Sequence, residues 1–169
     1  MKEGLDRRDA LKAATLAGVA ALGSGTTASA APADATGLEA AFRAAFATPK
    51  DRPGDIATTR LGFLHEAALV IDSDLPFPLD RNGYADHLAF HGPLWERLEM
   101  QLLELKSAIH GNTGVVTAYF NQRGKPKDAG FRQRPGYITA VCARTPDGWR
   151  ALSLHLSPLL AQILQASPG

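Results

Sequence analysis

The side chains able to do acid–base chemistry gather at a few places along the sequence. In the run Trp149-Arg150-Ala151-Leu152-Ser153-Leu154-His155-Leu156-Ser157, the two-residue period of a strand puts Trp149, Ala151, Ser153, His155 and Ser157 on one face and the three leucines on the other. That mixed polar face is the expected wall of a ligand pocket. Histidine is the side chain that titrates near neutrality, so His155 is open to three roles: general base, hydrogen-bond donor to a carbonyl, or hydrogen-bonded core residue. Asp72 and Asp74 leave an apolar run that begins at Ala67. A carboxylate there either reaches into an apolar cavity as a proton acceptor or caps turns beside Pro76 and Pro78.

His87 and His91 stand four residues apart and share one face of a helix. They could line a pocket, or hold a metal with Asp86 or Asp72. No His-Glu-x-x-His pattern is present and Gly92-Pro93 ends the helix beside the second histidine, so a pocket-lining or surface role is preferred and neither metal nor cofactor is called for. Trp95 adds an aromatic surface for a ligand. Arg123, Lys125, Lys127, Arg132 and Arg134 with Asp128 give residues 122–135 a local excess of positive charge. As a loop rich in Gly and Pro, this segment is either a rim that draws in an anion through Arg132 and Arg134 or a solvated connection.

These residues need elements to position them. Thr36-Gly37-Leu38-Glu39 has the form of a capping box, and Leu38, Ala41, Phe42, Ala45 and Phe46 then recur at helical spacing, which predicts a helix over about 37–47. A weaker helical pattern covers 55–65, a strand 67–72, and a short helix 84–91. The segment 93–110 carries two patterns at once. Leu94, Leu98, Leu102 and Leu105 suit a helix, while Leu103, Leu105, Ser107 and Ile109 suit a strand, so a helix giving way to a strand near Glu99 is expected. His110-Gly111-Asn112-Thr113 marks a hairpin, followed by strands at 115–121, 137–144 and 149–157. A short helix from Leu159 to Leu164 would close the chain. Helices first and antiparallel strands last predict an α+β domain with helices on one face of a curved sheet.

The bulk composition limits the partners. The chain has 169 residues, 45% hydrophobic and 21% charged, enough for one core. Beyond residue 30 the basic and acidic residues balance, which argues against nucleic acid or an anionic membrane as a partner. Cys142 is the single cysteine, so no disulfide can form within the chain, and a buried strand position is expected for it. Residues 1–30 have the form of an export signal. Arg7-Arg8-Asp9-Ala10-Leu11-Lys12 precedes a mildly apolar run from Ala13 to Leu22, and Ala28-Ser29-Ala30 offers a cleavage site. The paired arginines and weak hydrophobicity resemble a twin-arginine signal, which implies a periplasmic or secreted domain over 31–169 with no stable membrane anchor.

From about 38 to 160 the order of elements resembles the nuclear transport factor 2-like superfamily, which includes the SnoaL-like proteins and ketosteroid isomerase. The terminal run from Asp147 to Pro158 is similar to the Trp, His-x-Ser terminus of SnoaL-like members, with Ser153 where a second histidine is common. The resemblance implies a cone-shaped, cystatin-like α+β fold that holds a small, largely apolar or carbonyl-containing molecule, and a homodimer. By the same resemblance, Asp72 or Asp74 would be the base and His155 or Tyr119 the hydrogen-bond donor, with Trp149, Ser153 and Ser157 beside the ligand. Two functions follow: a cofactor-independent isomerase or lyase, or a non-catalytic ligand-binding or dimerisation module.

Overall fold

A computed structural model describes residues 32–46, 55–72 and 75–159. The export signal, Asp74 and the closing helix beyond Leu159 lie outside the described residues. The chain order is α1 (Pro32–Phe46), α2 (Asp55–Phe63), β1 (Leu64–Asp72), β2 (Leu79–Asp80), α3 (Arg81–His91), a single 3-10 turn (Gly92–Leu94), then β3 (Trp95–His110), β4 (Thr113–Pro126), β5 (Arg132–Thr145) and β6 (Gly148–Pro158). The strands form one sheet in the order β2-β1-β6-β5-β4-β3. The meander β3 to β6 is antiparallel, as the turn signals require, but β1 lies parallel to β6, so the sheet is mixed.

Helix α1 begins five residues ahead of its expected start. Pro32 supplies the first helical residue, a position where its missing N–H costs nothing. Thr36 therefore falls inside the helix, and Glu39 does not close a capping box; its carboxylate accepts a hydrogen bond from Ser107 Oγ of β3 at 2.8 Å. Leu38, Phe42, Ala45 and Phe46 are buried, as their spacing predicts. Phe42 and Phe46 lie 4.9 Å apart between ring centroids, and each packs edge-on against Phe63 of α2 at 6.0 Å, which ties the two helices together. Thr59 Oγ1 adds a hydrogen bond to the Ala45 carbonyl at 3.3 Å.

The helix expected at the start of 93–110 is replaced by strand from Trp95 onward. Leu98, Met100 and Leu102 face the helices, and so do Leu105, Ser107 and Ile109. The inward phase switches because β3 carries one extra residue between the pairs Leu103–Tyr119 and Lys106–Thr117. At this bulge Glu104 adopts a φ of 49°, in the left-handed region. Two strand patterns joined out of phase leave leucines three and four apart, which imitates a helix. The segment 122–135 is also mostly strand: β4 and β5 stay paired out to Gly124 and Arg132, leaving only 127–131 as connection.

The inward residues of the sheet are Ala68 and Val70 on β1, Val116, Ala118 and Phe120 on β4, Ile138, Ala140 and Cys142 on β5, and Leu154 and Leu156 on β6. Each large side chain among them stabilises the fold by about 1.5–3 kcal/mol relative to exposure. No described helix is long and apolar enough to cross a membrane.

Cys142 occupies the buried strand position expected of it, and burial pushes its thiol up from 9.0 to about 12. The folded chain therefore keeps a proton that the unfolded chain releases above pH 9, so this contribution to stability is complete below that pH and is lost as pH rises toward 12. We expect native protein to resist alkylation by iodoacetamide, and Cys142→Ala to lose less stability than the parent between those limits in denaturant titrations.

Candidate functional site

At one end of the sheet the strands run past the core. There the C-terminal ends of β1, β4 and β6 meet the N-terminal ends of β3 and β5, with α2 and α3 above them. A cavity of about 520 Å³ lies between these layers. Its apolar surface comes from Ile56 of α2, Leu88 of α3, Leu98 of β3 and Leu156 of β6, with Leu75 and Trp95 beside them. Its polar groups follow from strand alternation continued beyond the core. Asp72 is in phase with Ala68 and Val70, Gln122 with Ala118 and Phe120, and Arg134 with Ile138 and Ala140. A residue that would be apolar one turn of the pleat earlier is polar here.

Five of the residues singled out in the sequence line this cavity: Asp72, His87, His91, Trp95 and Arg134. His87 and His91 share the inner face of α3, their ring centroids 4.3 Å apart, and His87 stacks on the buried ring of Tyr84 at 6.0 Å with the planes 16° apart. Among the described residues no group of three metal-ligating side chains gathers. Asp80 accepts a 2.7 Å hydrogen bond from the Gly83 amide at the start of α3, which fixes the helix that carries both histidines. Trp95 lies against Gly124 of β4. A Cβ at Gly124 would sit 2.6 Å from the indole Cζ3 and 2.8 Å from the Arg97 carbonyl oxygen, so only glycine lets the ring pack there.

The remaining candidates lie elsewhere. His155 is exposed on the opposite face of the sheet, and the expected pocket wall on β6 does not exist as one face. The cause is a bulge: Val141 pairs with Ser153 while its neighbour Cys142 pairs with Ala151, leaving Leu152 as an extra residue. Trp149 and Ala151 point inward before it; Leu154 and Leu156 point inward after it. Ser153, His155 and Ser157 are thereby turned outward, away from the cavity. Tyr119 is out of phase with the buried Ala118 and Phe120, and its ring meets that of Tyr137 edge-on at 5.6 Å, also on the outer face. Trp149 is buried at the far end of the core, against Gly114, with the Arg144 guanidinium 5.1 Å from its ring centroid. Arg132 is exposed past the cavity mouth, so of the two rim arginines only Arg134 lines the cavity.

Sequence reasoning passed over Arg60 and Gln122, which also line it, as does Lys127 from the basic segment 122–135. Arg60 shares a helix face with Ile56 and Phe63, a spacing of four and three residues. That spacing was the available signal, and a charged residue on an apolar helix face is unusual enough to mark.

No protein-family model matches the chain, and no curated protein matches its sequence. Solved structures match it throughout the fold. A protein of Novosphingobium aromaticivorans provisionally assigned as an aromatic ring hydroxylase superposes with a TM-score of 0.67 at 18% identity, over 77% of this chain and 94% of its own. A Streptomyces avermitilis protein of the nuclear transport factor 2-like family, provisionally assigned as a dehydratase, gives 0.64 at 22% identity over 76% of this chain and 98% of its own. A nuclear transport factor 2-like protein with a cystatin-like fold from Novosphingobium aromaticivorans gives 0.61 at 13% identity over 94% and 93%. The chain therefore has the nuclear transport factor 2-like, cystatin-like fold that its terminal motif resembles, a fold that in these neighbours is shared by proteins assigned to different chemistries.

Gly124→Ala should force the Trp95 ring out of its seat and cost roughly 1–3 kcal/mol. In a Trp149→Phe background, where Trp95 is the only indole, the emission maximum should move to the red and the melting temperature fall.

Proposed function

We propose that this protein, carried outward by its twin-arginine signal, holds a small molecule in the cavity between α2, α3 and the sheet, and acts on it as a cofactor-independent lyase or isomerase. One observation carries the reading: a carboxylate, Asp72, and an imidazole, His87, line the same partly apolar cavity. A carboxylate beside a carbonyl-activated C–H can take its proton, and an imidazolium across the ligand can donate to the oxygen where charge develops. A ligand seated on the apolar walls would displace water from this site and so strengthen both interactions. The roles first looked for in His155 and Tyr119 pass to the histidines of α3. The dehydratase and hydroxylase assignments of the structural neighbours support a cavity-based activity in this fold, without naming the substrate.

A homodimer accompanies this reading. The outer face of the sheet presents Leu69 and Ile71 of β1, Tyr137 and Val141 of β5, and Val115 of β4, each between 37 and 55% exposed. Leu69 pairs with Ser153, which pairs with Val141, which pairs with Val115, so one row across four strands holds three apolar side chains and a serine. His155 lies in the adjacent row, next to Ile71. Apolar side chains grouped on a sheet face that no described helix covers suit a second copy of the chain about a two-fold axis.

Leu156→Trp should fill the cavity and abolish quenching of Trp95 by small aromatic ketones while the fold persists. Asp72→Asn and His87→Ala should each leave binding within a few-fold and lower turnover of an identified substrate by about 10²–10⁴; full activity in both would remove the catalytic part and leave a binding protein. Val141→Arg should convert a dimer to a monomer in sedimentation equilibrium, and a monomeric parent would refute the paired state.

A further inference from the structure

Arg60 is the one buried charged residue among the described residues, 7% exposed. Its surroundings are neutral. One terminal nitrogen donates to the Tyr84 hydroxyl at 3.3 Å, the other lies 3.9 Å from the Met100 sulfur, and the guanidinium carbon stands 5.4 Å from the centroid of the Phe46 ring. Its Nε is buried without a hydrogen-bond partner. Among the described residues no carboxylate pairs with it, and a buried guanidinium lacking a counter-charge is destabilising. Yet Arg60 lines the cavity, where Lys127 and Arg134 add cationic groups and Asp72 is the only carboxylate among the described lining residues.

We infer that Arg60 is the anchor for an anionic group of the ligand, so that the cavity prefers small aromatic or alicyclic carboxylates to neutral molecules of the same shape. The inference rests on the cavity being the binding site. An entering carboxylate accepts hydrogen bonds from the guanidinium in a place already shielded from water, where charge-assisted bonds are strong and the cost of dehydrating the arginine was met during folding. The Phe46 ring, the Tyr84 hydroxyl and Met100 hold the guanidinium in place before the ligand arrives. The apolar body of the ligand would then rest on Leu88, Leu98 and Leu156.

The test compares 2-naphthoate with its neutral analogue 2-acetonaphthone by titration calorimetry, at about pH 7.5, where the carboxylate is ionised. Unmutated protein should bind both, the carboxylate about tenfold or more tightly. Arg60→Met should abolish that preference, keep the ketone affinity, and raise the melting temperature of the ligand-free protein, because an unpaired buried charge has been replaced by an apolar chain of similar length. Arg60→Gln serves the same comparison if the methionine variant does not fold. Equal affinities in the unmutated protein overturn the inference and leave the cavity reading intact, as does a carboxylate preference that survives in Arg60→Met. Binding of neither probe removes the cavity reading itself, and the inference with it.

Discussion

The two-residue alternation of the long strands, and the places where it slips, above all the bulges within β3 and β6, control the rest of this molecule. Each strand presents one set of side chains to α1 and α2 and the other set to the outside. On β6 the extra residue at Leu152 shifts the phase, so Leu154 and Leu156 join the core and His155 leaves it. Without that shift two leucines would lose their burial, about 1.5–3 kcal/mol each, and an imidazole would replace them in an apolar layer. The bulge on β3 does the same for Leu105, Ser107 and Ile109, and it brings Ser107 to the Glu39 carboxylate of α1. Both bulges place small local costs, including the left-handed φ of Glu104, against a larger gain in core packing.

The cavity is a consequence of the same alternation. Inward positions remain inward after the apolar core has ended, and the residues occupying them at the open end are Asp72, Gln122 and Arg134. Their backbone is held by strand pairing, so a polar group there is positioned without a loop having to be ordered around it. Helix α3 contributes from above through His87, stacked on the buried Tyr84, and His91, whose ring meets that of His87 at a tilt. A hydrogen bond from Arg60 to the Tyr84 hydroxyl links α2 to this histidine-bearing wall.

The opposite face of the sheet has a different composition for a related reason. It carries apolar and small polar groups, among them Val115, Tyr137, Val141, Ser153 and His155, and no helix among the described residues covers it. A sheet of this size with helices on a single face leaves its other face either to water or to another protein.

Much of this architecture was legible in the sequence. The spacing of Leu38, Phe42 and Phe46, the Gly111-Asn112 hairpin and the burial of Cys142 follow from local propensities, and they suffice for an α+β chain with its strands last. Asp72, His87, His91, Trp95 and Arg134 could be named as site candidates because chemistry-bearing residues sat at the ends of expected elements. The facing of His155, Ser153, Ser157 and Tyr119 was not legible, nor was the strand character of 93–99. Alternation along a strand is a local property, but its phase is set by pairing with a neighbour far away in sequence: a single extra residue, tolerated because it lets Leu154 and Leu156 reach the core, reverses every side chain after it. Arg60 was passed over for a similar reason, since its significance lies in its having no carboxylate partner among the described residues, which only the assembled tertiary structure determines.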